Sequence, residues 1–146
     1  MDDLIAFLRA RLDEDAAAAR AAAWDEDMSA RWTAASSPYG GDQDHPRWYV
    51  NDAYDDGVLG KVDPQGNDDE GVARHIARHD PARVLHTTEG LRALLQRYAE
   101  PESSPDLPDS LNRLTANVER QVLAVAFQYL ALPYADHPDY RAEWRP

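Results

Sequence analysis

The chain has no cysteine. That removes disulfides, thiolate-bound zinc and cysteine nucleophiles together. Long apolar runs are missing as well. The most apolar stretch, residues 122–132 (VLAVAFQYLAL), falls well short of the roughly 20 residues that a bilayer-spanning helix needs, so no membrane insertion is expected. The chain opens Met1-Asp2-Asp3 without a basic region or an apolar core. No signal peptide is therefore expected, and a cytoplasmic localisation is. Positive charge is scarce: 15 Lys and Arg face 27 Asp and Glu, a formal charge of −12. Such a surface repels phosphate backbones and anionic lipid alike, which argues against direct nucleic-acid or membrane partners. There is no nucleophile elbow, no glycine-rich phosphate loop and no Walker pattern, and Gly40-Gly41 reads as a loop pair. No catalytic residue and no cofactor are assigned on this basis.

What is present suits one domain spanning 1–146. A chain of this length buries roughly two thirds of its unfolded surface and needs no staple to fold. Its charge is segregated. Residues 42–70 carry nine acids against Arg47 and Lys61, whereas residues 72–100 carry five arginines against Asp80, Glu89 and Glu100.

The patterning predicts α+β architecture. Leu4, Ile5, Phe7, Leu8 and Leu12 recur at helical spacing, and the alanines of residues 16–23 extend a helix to about 3–23 by propensity. Between residues 24 and 62 the periodicity is lost. Residues 47–52 (RWYVND) and 58–62 (VLGKV) read as strands across an Asp56-Gly57 turn, with 31–35 a third candidate and 36–46 a loop. A sheet of two or three strands is marginal alone and needs helices against it. Residues 63–67 read as a turn, and Asp68 or Asp69 as the cap of a helix running through Val72, Ala73, Ile76 and His79. Asp80 and Pro81 read as N-cap and first residue of a helix to about residue 99. Asp109 is expected to cap the last helix. In it Leu111, Leu114, Val118, Val122, Val125, Tyr129 and Leu132 form a continuous stripe. Because residues 122–132 are apolar nearly all round, this helix is expected to be buried on more than one side, with Leu123, Val125, Phe127 and Leu130 in the core. Residues 130–146 (LALPYADHPDYRAEWRP) hold Tyr134, Tyr140 and Trp144 among prolines. They are expected to dock on the body across helix 1 or the sheet, with Trp144 buried.

Several groups are candidates for chemistry. His75 and His79 lie i, i+4, a spacing that suits metal ligands on one helix face, with Asp80 and His86 following. The glutamate of a HExxH pattern is missing, and Arg74 and Arg78 would repel a cation, so the expectation is no metal site. Arg74, Arg78, Arg83, Arg92 and Arg97 could take an acidic partner, against the simpler reading of internal ion pairs. The acid clusters at 13–15, 25–27, 42 and 44, 55–56 and 68–70 lack the offsets of a calcium loop and read as solvated faces. An alternative reading is that acid rows imitate DNA phosphates. Trp24, Trp32, Tyr39, Trp48, Tyr49 and Tyr54 could line a pocket, against the plainer reading of core between sheet and helices.

Three blocks, MDDLIAFLRARLDEDAAAARAAA, ARHIARHDPARVL and LALPYADHPDYRAEWRP, cover about a third of the chain. In them the chain closely resembles a family of small actinobacterial proteins of unknown function. The resemblance implies an actinobacterial or actinophage origin and no activity. Many members carry cysteines and a histidine ahead of the last apolar segment, and residues 101–117 here hold neither.

Taken together, these features predict about four helices on a small antiparallel sheet with a docked aromatic tail. The functional expectation is a non-catalytic acidic protein that acts by protein–protein binding and self-associates through its segregated charge. Its binding candidates are Arg74, Arg78, Arg83, Trp48, Tyr134, Tyr140 and Trp144. The alternatives are a small-molecule-binding protein or enzyme using the His75/His79 region, and a DNA mimic that sequesters a DNA-binding protein.

Overall fold

Acids at the start and alanines beyond favour a helix from the second residue. The computed structural model, which describes residues 1–42, 45–62 and 69–146, has α1 over Asp2–Ala21. Strands β1 (Trp32–Asp42), β2 (His45–Asp52) and β3 (Gly57–Val62) follow, then helices α2 (Asp69–Arg78), α3 (Pro81–Ala99) and α4 (Asp109–Leu130), and two 3-10 turns at Leu132–Tyr134 and Ala142–Trp144. The strands form one antiparallel sheet in the order β1-β2-β3. The architecture is α+β. By contacts the chain divides into a unit of Met1–Glu14 with Thr88–Pro146 and a unit of Asp15–Thr87.

In the first unit the stripe of α1 does what its spacing predicts. Leu4, Ile5, Phe7, Leu8 and Leu12 are all buried, against Leu95 of α3, Phe127 of α4, Ala131 and Trp144. Each such side chain contributes roughly 1.5–3 kcal/mol when fully removed from water. Tyr98 meets Phe127 edge to face at 5.6 Å. The loop before α4 is held from inside that helix: Asn112 Nδ2 donates to the Ser104 and Leu107 carbonyls, and the Ser104 N–H donates to Asn112 Oδ1.

In the second unit Val50, Val62, Ala73 and Ala77 are buried, with Trp32, Ala34, Trp48 and Ile76 packed around them. Pairs Ala34↔Val50 and Trp48↔Val62 put these residues on the sheet face that α2 covers. Small Ala73 and Ala77, one turn apart, let α2 approach closely. The turn after β2 is organised by the buried Asp52. Its Oδ1 accepts the N–H groups of Tyr54 (2.9 Å) and Asp56 (3.0 Å), and Asp55 takes a left-handed φ of 66°, which aspartate tolerates better than most residues. Asp80 caps α3 as expected: Oδ1 accepts the Arg83 N–H (2.8 Å). Its other oxygen accepts the Trp32 N–H (3.2 Å), which fastens the start of β1 to the start of α3.

Four expectations need correction. Residues 36–42 and 45–46 of the predicted loop are strand: β1 continues to Asp42 and β2 starts at His45, with a register shift between Ser37 and Asp42. Serine and glycine have low strand propensity, but a partner strand supplies the ladder that overrides it. Asp109 is the first helical residue of α4 and not its cap; extended Pro108 stands at the N-cap and no side chain bonds there. Helix α4 is not buried on several sides: Val125 is exposed, Leu123 and Leu130 are half-buried, and only Phe127 is fully in the core. Trp24 and Tyr54 do not join the sheet core but stack on each other at the surface, 4.8 Å apart and 21° from parallel. The turn predicted at 63–67, the acids Asp44 and Asp68, and the side chains of Tyr39 and Asp42 lie outside the described residues.

Candidate functional site

The outward face of α4 is the most conspicuous surface of the first unit. Leu111, Leu114, Val118, Val122, Val125 and Tyr129 are 47–63% exposed, and Leu132 just beyond the helix is 37% exposed. They follow one another at three- and four-residue steps along the length of α4, roughly 33 Å at 1.5 Å per residue. The opposite face holds the helix in place through Phe127, Leu123 and Leu130. Arg120 donates to the Tyr98 carbonyl (3.2 Å), and Glu119 pairs with Arg97. The helix is therefore anchored on one side and bare on the other. At these exposures the seven side chains offer on the order of 650 Å² of largely apolar surface, above the roughly 300–600 Å² of the largest patch on a typical monomer.

The surface around this stripe carries little charge. Residues 121–135 hold no Asp, Glu, Lys or Arg in a chain that is 29% charged. Gln121, Gln128, Thr115 and Asn117 border the stripe instead. Asp109 and Arg113 lie at its N-terminal end.

The predicted binding candidates fall in separate places. Arg74 pairs with Glu70 (2.7 Å) and lies 5.3 Å from the ring centroid of Trp48, which is itself half-buried against α2. Arg78 and Arg83 line a shallow depression at the α2–α3 junction with Arg31 and His86. Arg31 is paired there with Asp27 (2.7 Å). Further along α3, Arg92 pairs with Asp13 (2.6 Å), and Arg97 pairs with both Glu102 and Glu119. That double pairing raises the Arg97 pKa and holds the Glu102 carboxyl below its usual range. His75 and His79 sit on the exposed side of α2 with ring centroids 4.5 Å apart. His79 Nδ1 donates to the His75 carbonyl (2.9 Å). Among the described residues no group of three or more His, Asp or Glu is placed to hold a metal ion.

Tyr134, Tyr140 and Trp144 come together with His137 around one side chain, Phe7 of α1. Their ring centroids lie 5.0–6.2 Å from the Phe7 ring. Trp144 is 8% exposed, so the tail docks on helix 1 as the sequence suggested. A series of three-residue turns makes this possible: the N–H groups of Tyr134, His137, Tyr140 and Trp144 each donate three residues back. Arg11 completes the clasp from within, almost fully buried. It donates to Glu14 (2.7 Å) and lies against the His137 ring, whose Nδ1 accepts the Asp139 N–H (3.1 Å). Arg141 closes the outside on Asp3 (2.6 Å).

In the second unit Asp25 anchors the turn before β1. Its Oδ1 accepts the N–H groups of Asp27 and Ser29. Burial pushes its carboxyl up, but these hydrogen bonds outweigh it and the pKa is lowered overall. The neighbouring Tyr54 hydroxyl is pushed up by burial and by Asp25 itself.

Sequence reasoning counted the α4 stripe as core and so missed it as a surface. The available signal was that the helix carries a second apolar set, Leu123, Phe127 and Leu130, on its other side. One helix rarely needs two apolar faces inside one small body. No helix of the described residues is long and apolar enough to cross a membrane. The chain belongs to a family of unknown function (DUF6221), whose pattern matches residues 1–146. No curated protein matches it, and no solved structure does.

Proposed function

We propose that this member of a family without an assigned activity works by protein–protein binding, without a catalytic step of its own, and that the binding surface is the outward face of α4. One observation carries the reading: six large apolar side chains form an exposed stripe on a helix that is anchored from behind, and Leu132 just beyond it continues the stripe. A monomeric protein gains nothing by holding so much ordered apolar surface in water, whereas a partner that covers it gains the hydrophobic term. The stripe is also preformed. Asn112 at one end and the Phe127 contact at the other fix the helix, so little ordering remains to oppose association.

The test is a photo-cross-linking residue introduced at Val122 of the full chain in its native host. Discrete protein adducts at Val122 that vanish on adding Leu114→Glu, with the helical circular dichroism unchanged, are expected. Absence of any adduct at Val122, Val118 and Val125 alike overturns the proposal.

A further inference from the structure

We infer that the occupant of the α4 face is a second copy of this chain, paired antiparallel about a two-fold axis that passes beside Val122. The inference rests on the α4 reading above and names its partner.

The first support is the order of the stripe. Six of its seven members fall into three pairs mirrored about one point. With Gln121 and Val122 at the centre, Val118 mirrors Val125, Leu114 mirrors Tyr129, and Leu111 mirrors Leu132. A two-fold axis perpendicular to α4 at that centre brings each residue onto the mirror residue of the partner helix. Six of the seven apolar side chains then meet an apolar mirror residue, and Val122, next to the axis, faces the partner's Gln121 and lies beside the partner's Val122. Size follows the same symmetry. The central layers are valines, which let two helices approach, and the outer layers are leucines and a tyrosine, which fill the space as the axes diverge. From Val118 onward the steps alternate four and three through Leu132, the spacing at which one helix offers knobs to the holes of another.

The second support is charge. A two-fold interface places a patch against itself, so a patch of one sign repels its own copy. In a chain of net charge −12 most faces fail that condition. The α4 face meets it. Residues 121–135 hold no charged side chain, and Glu119 at the margin is taken up by Arg97. In the antiparallel arrangement Asp109 and Arg113 of one copy lie near the uncharged Tyr129–Leu132 end of the other, and the two helix dipoles oppose each other favourably.

The third is area. The on the order of 650 Å² of exposed stripe approaches the roughly 800 Å² per partner of a standard interface. The bordering Gln121, Gln128, Thr115 and Asn117 can supply the remainder as a hydrogen-bonding rim.

Sedimentation equilibrium of the full chain at micromolar concentration, followed by single-cysteine cross-linking, tests this directly. The expected mass is twice the 16.4 kDa of one chain, falling to one chain in Val118→Glu and Val125→Glu variants that keep their helical spectrum. Because the chain has no native cysteine, direction can be read separately. Val122→Cys is expected to form a disulfide-linked dimer on mild oxidation. Leu111→Cys alone is not, whereas a mixture of Leu111→Cys and Leu132→Cys is. A dimer that survives both glutamate variants overturns the inference. So does a Leu111→Cys dimer that forms as readily as the Val122→Cys one. A monomer at every concentration overturns it as well. If that monomer still yields adducts to another protein from Val122, the binding function stands and only the choice of partner fails. If Val122→Cys in the monomer resists thiol reagents, the chain covers its own stripe and both proposals fail.

Discussion

Phe7 is the residue on which the first unit closes. Four rings converge on it from the tail, and the Arg11 guanidinium lies 5.2 Å from its centroid. Phe7→Ala is expected to cost about 3–5 kcal/mol, measured by urea unfolding, and to expose Trp144 to fluorescence quenchers. A loss under about 1 kcal/mol with Trp144 still shielded would mean that the tail is held elsewhere. Asp52 does comparable work in the hairpin turn, where its carboxylate satisfies two backbone N–H groups. Asp52→Ala leaves both without an acceptor and is expected to cost about 1–3 kcal/mol. Asp52→Asn, which keeps one accepting oxygen, should recover most of that. Equal losses in the two variants would show that the turn does not depend on acceptance. Glu102 makes a smaller, pH-dependent contribution. Its pKa is held low by the Arg97 hydrogen bond and charge, so the folded state releases its proton more easily than the unfolded chain. The stabilisation is present above the usual carboxylate pKa and disappears as pH falls through the lowered value. Glu102→Gln should therefore lower the thermal midpoint slightly at neutral pH, by a difference that shrinks as the pH falls below the usual carboxylate range. A variant effect that persists undiminished in acid would remove ion pairing as its cause.

Among the elements, Asp80 shows how one side chain can join two. Its carboxylate caps α3 and also holds the first N–H of β1. Asp80→Ala is expected to cost about 1–2 kcal/mol, the upper end of a lost cap, and to speed amide exchange at both Arg83 and Trp32. Faster exchange at Arg83 alone would show that the β1 contact is incidental. Asp80-Pro81 was readable from sequence because an N-cap and a proline at the first helical position are local chemistry. So was the first half of α1, whose stripe matches its buried apolar residues one for one. The aromatic tail was legible for another reason: Tyr134, Tyr140 and Trp144 are costly to leave in water, and Pro133 prevents α4 from carrying them onward. What could not be read depended on distant partners. Residues 36–42 have the composition of a loop and become a strand because β2 lies alongside. The period of α4 marks an apolar face but says nothing of what covers it, and the face taken for core proved to be the exposed one. The candidate surface was thus present in the sequence as a stripe, and absent from it as a surface.

At the scale of the whole molecule, net charge and the α4 face act in opposite directions, and salt separates them. Two bodies of −12 repel each other as they approach. If copies join through the uncharged α4 face, attraction comes from apolar burial, which salt leaves intact, while the repulsion is screened. The Debye length falls from about 30 Å at 0.01 M to about 10 Å at 0.1 M ionic strength. Raising salt across that range should therefore strengthen the dimer. Pairing of acidic segments on one copy with the arginine-rich 72–100 segment of another predicts the reverse. Several of those arginines already have partners within the chain: Arg74 with Glu70, Arg92 with Asp13, and Arg97 with Glu102 and Glu119. That leaves fewer cations free for an intermolecular pair. Light scattering or sedimentation at low and moderate salt decides between the two. An association constant that rises with salt is expected, and one that falls would assign self-association to charge and leave the α4 stripe for a different protein.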